Sequence, residues 1–95
     1  MEQEIELLVA ETKAAQSRAQ LSSLALAAAQ RRYEVEQARF ANGIVALPDL
    51  LRYHRALSQA RLDELEARVQ LLKTHAKLRR SVASDAPAAL PQEAP

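Results

Sequence analysis

The residues able to do chemistry in this chain are few and far apart. The two histidines, His54 and His75, lie 21 residues apart in one stretch without glycine or proline. In a helix that is about 30 Å along the axis, so they cannot share a metal ion within one chain, and solvent or interface positions suit them better. The chain has no cysteine, which removes disulfides, thiolate metal sites and a lipid-modified cysteine. Two straight helices cannot assemble a Ser-His-Asp set, a Gly-rich phosphate loop or a cleft with paired carboxylates. The expectation is therefore no catalytic residue, no cofactor and no metal. What remains is a local constellation. Asp49 stands near Arg39, Arg52 and Arg55, and the sole glycine, Gly43, is followed by four apolar residues, Ile44 to Leu47.

Composition narrows the class of protein. Ninety-five residues make at most one small domain. Alanine and leucine dominate, with many Gln, Glu and Arg, while aromatic residues are only 3%. That is the composition of long helices, and it argues against a β-rich domain. The net charge of +1 demands neither nucleic acid nor an acidic substrate. The second half is rich in Arg and Lys, but its positive residues are spread around the helix without interleaved aromatics, which reads as a solvated face. No run approaches the length of a membrane helix, and "MEQEIELL" lacks the apolar core of an export signal. As written, the chain is expected to stay in the cytoplasm unless it is a piece of something larger.

The elements that must position Gly43 and Asp49 follow from the breakers. Residues 2 to 41 and 49 to 84 contain neither Gly nor Pro. The reading is a helix over about 2–41, a turn at 42–48, a helix over about 49–83, and a disordered Pro/Ala-rich tail at 85–95. Asn42-Gly43 suits a helix C-terminus, because glycine accepts the left-handed conformation without a Cβ penalty. Pro48 suits the first turn of the next helix, where its missing N–H would be unpaired anyway. Asp49 then complements the helix dipole, and Leu47 stands where Ser or Thr would cap better. The fold class is all-α, a long antiparallel helical hairpin.

Steps of three and four along the first helix trace a stripe from Ile5 through Leu8, Ala15, Leu26 and Tyr33 to Phe40, interrupted by Thr12, Ser22 and Glu36. A second stripe, read as running beside it, passes through Leu7, Ala14, Leu21, Leu24 and Val35. The second helix repeats the pattern less cleanly, with Leu50, Tyr53, Leu57, Ala67 and Leu71 in one stripe and Leu51, Leu62, Leu65, Val69 and Leu72 in the other. A two-stranded coiled coil needs one narrow seam. Two seams per helix suit a helix with neighbours on both sides, as in a helical sheet or α-barrel; a bundle of three or four helices with a wide apolar face is the alternative. A lone hairpin cannot bury both seams, so the chain is expected to self-associate or to pack on further chain.

The block "RRYEVEQARFANGIVALPDLLRYHRALSQARLDELEARVQLLKTHAKLRRSV" resembles the TolC-like outer membrane efflux protein family. The elements that carry the resemblance are Phe40, Gly43, the apolar "IVAL", Asp49 with Leu50, and "QAR" at Gln59 to Arg61. The later "HAKLRRSVAS" looks like the end of that family's last long helix. The resemblance covers about residues 25 to 83. Pro48 stands where the family often has Ser or Thr, Ala83 lies in a region where it often has Gly, and the family's β-strands, export signal and second hairpin are missing. The resemblance implies one hairpin repeat, the C-terminal one, of a trimeric channel-tunnel that exports small molecules. The turn would then be the periplasmic tip, with Gly43, Ile44 and Val45 docking a periplasmic adaptor protein and with Asp49 and Arg52 at the tunnel entrance. Location would be the outer membrane and periplasm, with membrane contact only through the missing strands. A local reading of the tip competes with docking: Ile44 and Leu47 stapling the two helix ends. A helix-dipole carboxylate likewise competes with an entrance role for Asp49.

Two alternatives to the channel are an adaptor α-hairpin and a self-associating coiled-coil module unrelated to efflux. An adaptor tip is usually marked by spaced Arg, Leu and Ser. Counting from Arg39, those places hold Gly43 and Asp49 here.

Overall fold

A computed structural model describes the backbone of residues 2–85 and the side chains of residues 3–83. The chain forms α1 (Glu2–Ala41) and α2 (Leu47–Asp85), packed along their length as an antiparallel hairpin. Each helix is about 60 Å long at 1.5 Å per residue. Helix α2 begins two residues earlier than the sequence suggests. The carbonyl of Ala46 accepts from the backbone N–H groups of Asp49 (3.0 Å) and Leu50 (3.2 Å), which puts the cap at Ala46 rather than Leu47. Leu47 and Pro48 then enter the first turn, where proline removes one donor that would have lacked a partner. At the other end α2 includes Asp85. The rest of the tail, residues 86–95, lies outside the described residues.

The first stripe of each helix forms the contact between them. Ala15, Leu50, Leu57 and Ala67 are buried, and Ile5, Leu8, Leu26, Tyr33, Tyr53 and Leu71 are half-buried. Small residues in this seam let the backbones approach closely. Three polar side chains are buried with them: Thr12, Glu36 and Thr74. The threonine hydroxyls donate to carbonyls of their own helix, Thr12 to Leu8 at 2.8 Å and Thr74 to Leu71 at 2.9 Å. This satisfies them without help from the partner helix.

The second stripe is not beside the first, as the sequence pattern was read, but behind it. Leu7 follows Ile5 by two residues and is therefore turned by about 200° at 3.6 residues per turn; the same offset recurs along α1. In α2 the back stripe is turned from the contact stripe by about 150° on the same arithmetic. The burial pattern agrees. Leu7, Leu21, Leu24 and Val35 on α1 and Leu51, Leu62, Leu65, Val69 and Leu72 on α2 are all exposed, Leu24 by 68% and Leu72 by 70%. The hairpin thus buries one seam, here the inner seam, and presents an outer apolar seam on each flank.

Candidate functional site

The tip is built by backbone hydrogen bonding. Gly43 has φ of +74°, the left-handed conformation that ends many helices. Its N–H donates to the Phe40 carbonyl at 3.0 Å, and the N–H of Ile44 reaches back to the Arg39 carbonyl at 2.8 Å. This pair of bonds is the Schellman arrangement, and it closes α1 without a side-chain cap. The space around Gly43 is open, with nothing within 4 Å of where a Cβ would stand. Backbone conformation rather than crowding therefore calls for glycine here.

The closed turn fixes where the apolar residues go. Ile44 is 60% exposed and Leu47 is 51% exposed, whereas Val45 is half-buried. Ile44 and Leu47 thus leave most of their surface in water, and a tight staple between the helix ends would cover more of it. Asp49 lies in the first turn of α2 and accepts a hydrogen bond from Arg52 Nη2 at 2.6 Å, an i,i+3 pair in which Arg52 is exposed and Asp49 partly so. Exposed pairs of this kind contribute little to stability. Of the other arginines near Asp49, Arg39 approaches Glu36 instead, at 3.7 Å.

Below the tip lies a polar cluster that the sequence reading did not assemble. Glu36 occupies the inner seam and is only 3% exposed. Its carboxylate lies 3.4 Å from Arg32 Nε and 3.7 Å from Arg39 Nη1. Arg32 also crosses to α2: its Nη2 donates to the Tyr53 hydroxyl at 3.0 Å, and its guanidinium stands 4.9 Å from the centre of the Tyr53 ring. Arg52 approaches the same ring at 6.0 Å. The hydrogen bond to Tyr53, and after it the nearby Glu36 carboxylate, raise the Arg32 pKa above its ordinary value. Next to this cluster Tyr33 and His54 meet edge to face, with centroids 5.5 Å apart. One sequence signal could have found the cluster. Glu36 breaks an apolar stripe, yet has arginines at i−4 and i+3, the positions that can reach it.

His54 is thus an aromatic neighbour of Tyr33, and His75 is exposed far along α2. Among the described residues no group of three or more His, Cys, Asp or Glu side chains could hold a metal ion, and no helix is long and apolar enough to cross a membrane. The grooves lined by the described residues are shallow and open. Comparison with models of protein families, with curated proteins and with solved structures found no match.

Proposed function

We propose that the chain is a helical-hairpin part of a TolC-like efflux tunnel, in which the outer seams pack within the wall and the tip docks a periplasmic adaptor. The observation that carries this reading is the tip: a hydrogen-bonded turn that holds Ile44 and Leu47 out in water. The resemblance in sequence supplies the identity of the partner. Gly43, Ile44 and Val45 form the docking surface, and Asp49 with Arg52 marks the entrance. The role is structural and non-enzymatic, with no cofactor.

Ile44→Asp should weaken binding to the α-hairpin domain of an adaptor protein while helix content by circular dichroism stays unchanged. Unaltered binding would remove the docking role. The setting is tested with an antibody against residues 62–80. A band several times heavier than 10.5 kDa in the outer membrane supports a channel; a soluble band at that mass leaves the second reading, a self-associating coiled-coil module. That second reading has its own support, since both outer seams are exposed along most of their length.

A further inference from the structure

We infer that the edge of the hairpin carrying His54, Arg61, Arg68 and His75 docks a helix of another protein, one that presents a carboxylate at every seventh residue. Charge and spacing along this edge carry the inference, which does not depend on the transport reading.

The hairpin has two edges, one on each side of the inner seam, and they are charged differently. Along the first, acids and bases of the two helices share grooves: Glu4 with Lys77 and Arg80, Glu11 with Lys77, and Arg18 with Asp63 and Glu66. Complementary charges at such flanking positions help to fix which helices pair and in which direction. Asp63 and Arg61 are turned by about 70° to opposite sides of the centre of the inner stripe, taken midway between Leu57 and Ala60. The second edge of α2 is therefore the seven-residue row His54, Arg61, Arg68 and His75. By the same arithmetic it runs beside Gln37, Gln30, Ser23, Gln16 and Val9 of α1, and the contact of His54 with Tyr33 sets the level.

This edge lacks the balance of the first. Its α2 row holds two arginines and two histidines, all exposed, whereas its α1 row is uncharged from Val9 to Gln37. Glu34, further round α1, accepts a hydrogen bond from Gln30 at 3.3 Å. Among the described residues Arg68 alone of the four forms an ion pair, with Glu64 of its own helix at 3.2 Å.

The spacing points to the kind of partner. Seven residues of helix rise about 10.5 Å, so the row sets out four nitrogen donors over about 30 Å. A helix laid alongside has the same rise, and carboxylates at every seventh residue meet all four donors in turn. Arg61 and Arg68 supply charge-assisted hydrogen bonds, and His54 and His75 supply an imidazole N–H. Leu65 and Leu72, exposed and three or four residues from these donors, add apolar contact. A nucleic acid fits less well, because its phosphates follow one another at about 3.4 Å along each strand and most would find no donor. A second copy of this chain does not supply the pattern either, since no three of its acids recur at seven-residue spacing.

Binding of a synthetic helical peptide to the full 95-residue chain tests this. The peptide, about 28 residues long so that it spans the row, carries Glu at every seventh position; a control peptide of the same composition has its glutamates scattered round the helix. Fluorescence anisotropy at low salt should show the control bound about tenfold more weakly. Arg61→Glu with Arg68→Glu should weaken binding of the repeat peptide by about tenfold or more, and a peptide with Lys in place of Glu should recover it. Lys73→Glu with Arg80→Glu makes the same change in net charge off this edge and should alter binding little. Circular dichroism establishes that each variant is helical, and Arg61→Gln with Arg68→Gln replaces the charge reversal if that variant unfolds. Equal binding of the two peptides, or an equal loss in the Lys73 and Arg80 variant, would overturn the inference in favour of general attraction between opposite charges. A single-stranded oligonucleotide that binds more tightly than the peptide, with the same dependence on Arg61 and Arg68, would overturn the choice of a helix. Ile44→Asp lies beyond the row and should leave peptide binding unchanged, so this inference and the docking role of the tip fail separately.

Discussion

Leu57 and Leu65 are the same residue type, eight positions apart on the same helix, yet Leu57 is buried at 3% exposure and Leu65 is exposed. Leu57 belongs to the inner seam and Leu65 to the outer. The difference is not one of hydrophobicity, since the outer seam of α2 is as rich in leucine as the inner. It comes from what each face meets. The inner seams meet each other along the hairpin, while the outer seams point in opposite directions and have no partner among the described residues. Burying a leucine side chain is worth about 1.5–3 kcal/mol, so a row of exposed leucines on each flank is a large reserve of association energy. The hairpin therefore resembles a single unit cut from a row of helices.

Breaking the inner seam should have the largest effect. Leu57→Ala is expected to cost about 2–4 kcal/mol in urea unfolding, enough to melt much of a hairpin with so few buried residues. Leu65→Ala, its outer counterpart, should cost much less in dilute solution, and its effect should grow with protein concentration. Equal costs for the two variants under dilute conditions would erase the distinction between the faces.

Leu24→Asp and Leu72→Asp sharpen the comparison from the other side. Each places a charge in an outer seam, and each should lower the sedimenting mass while leaving the secondary structure of the dilute hairpin intact. A smaller effect is expected at the turn. Gly43→Ala should cost about 1 kcal/mol, because alanine in a left-handed conformation is strained even in open space. A stability change near zero in thermal melts would mean that the turn can be closed in another way. Tyr53→Phe should have the smallest effect, at most about 1 kcal/mol, since it removes one exposed hydrogen bond to Arg32 and leaves the ring in place.

Much of this fold was legible in the residues. Two long stretches without Gly or Pro, divided by Asn42-Gly43 and Pro48, define the helices and the turn. The start of α2 was misplaced because Leu47 reads as a poor cap, whereas the backbone carbonyl of Ala46 takes that position and leaves Leu47 inside the helix. The two stripes were visible, but their relation was not. Steps of three and four trace each stripe but not the angle between the two, and the 100° turn per residue puts one behind the other. The Glu36 cluster was hidden for a different reason. A charged residue in an apolar stripe looks like an interruption until Arg32 and Arg39 reach it from the turns above and below. At the tip, the sequence indicated glycine and apolar residues but not whether Ile44 and Leu47 would cover each other, because that depends on the path of the backbone through the turn.

With so much apolar surface in water, the outer seams are expected to require a neighbour. This requirement is tested most directly by sedimentation of the 95-residue chain across the micromolar range, with helix content followed on the same samples. Masses are expected to rise with concentration well above 10.5 kDa, and helicity to fall on dilution. A fully helical monomer at every concentration would show that one buried seam suffices, and would contradict it.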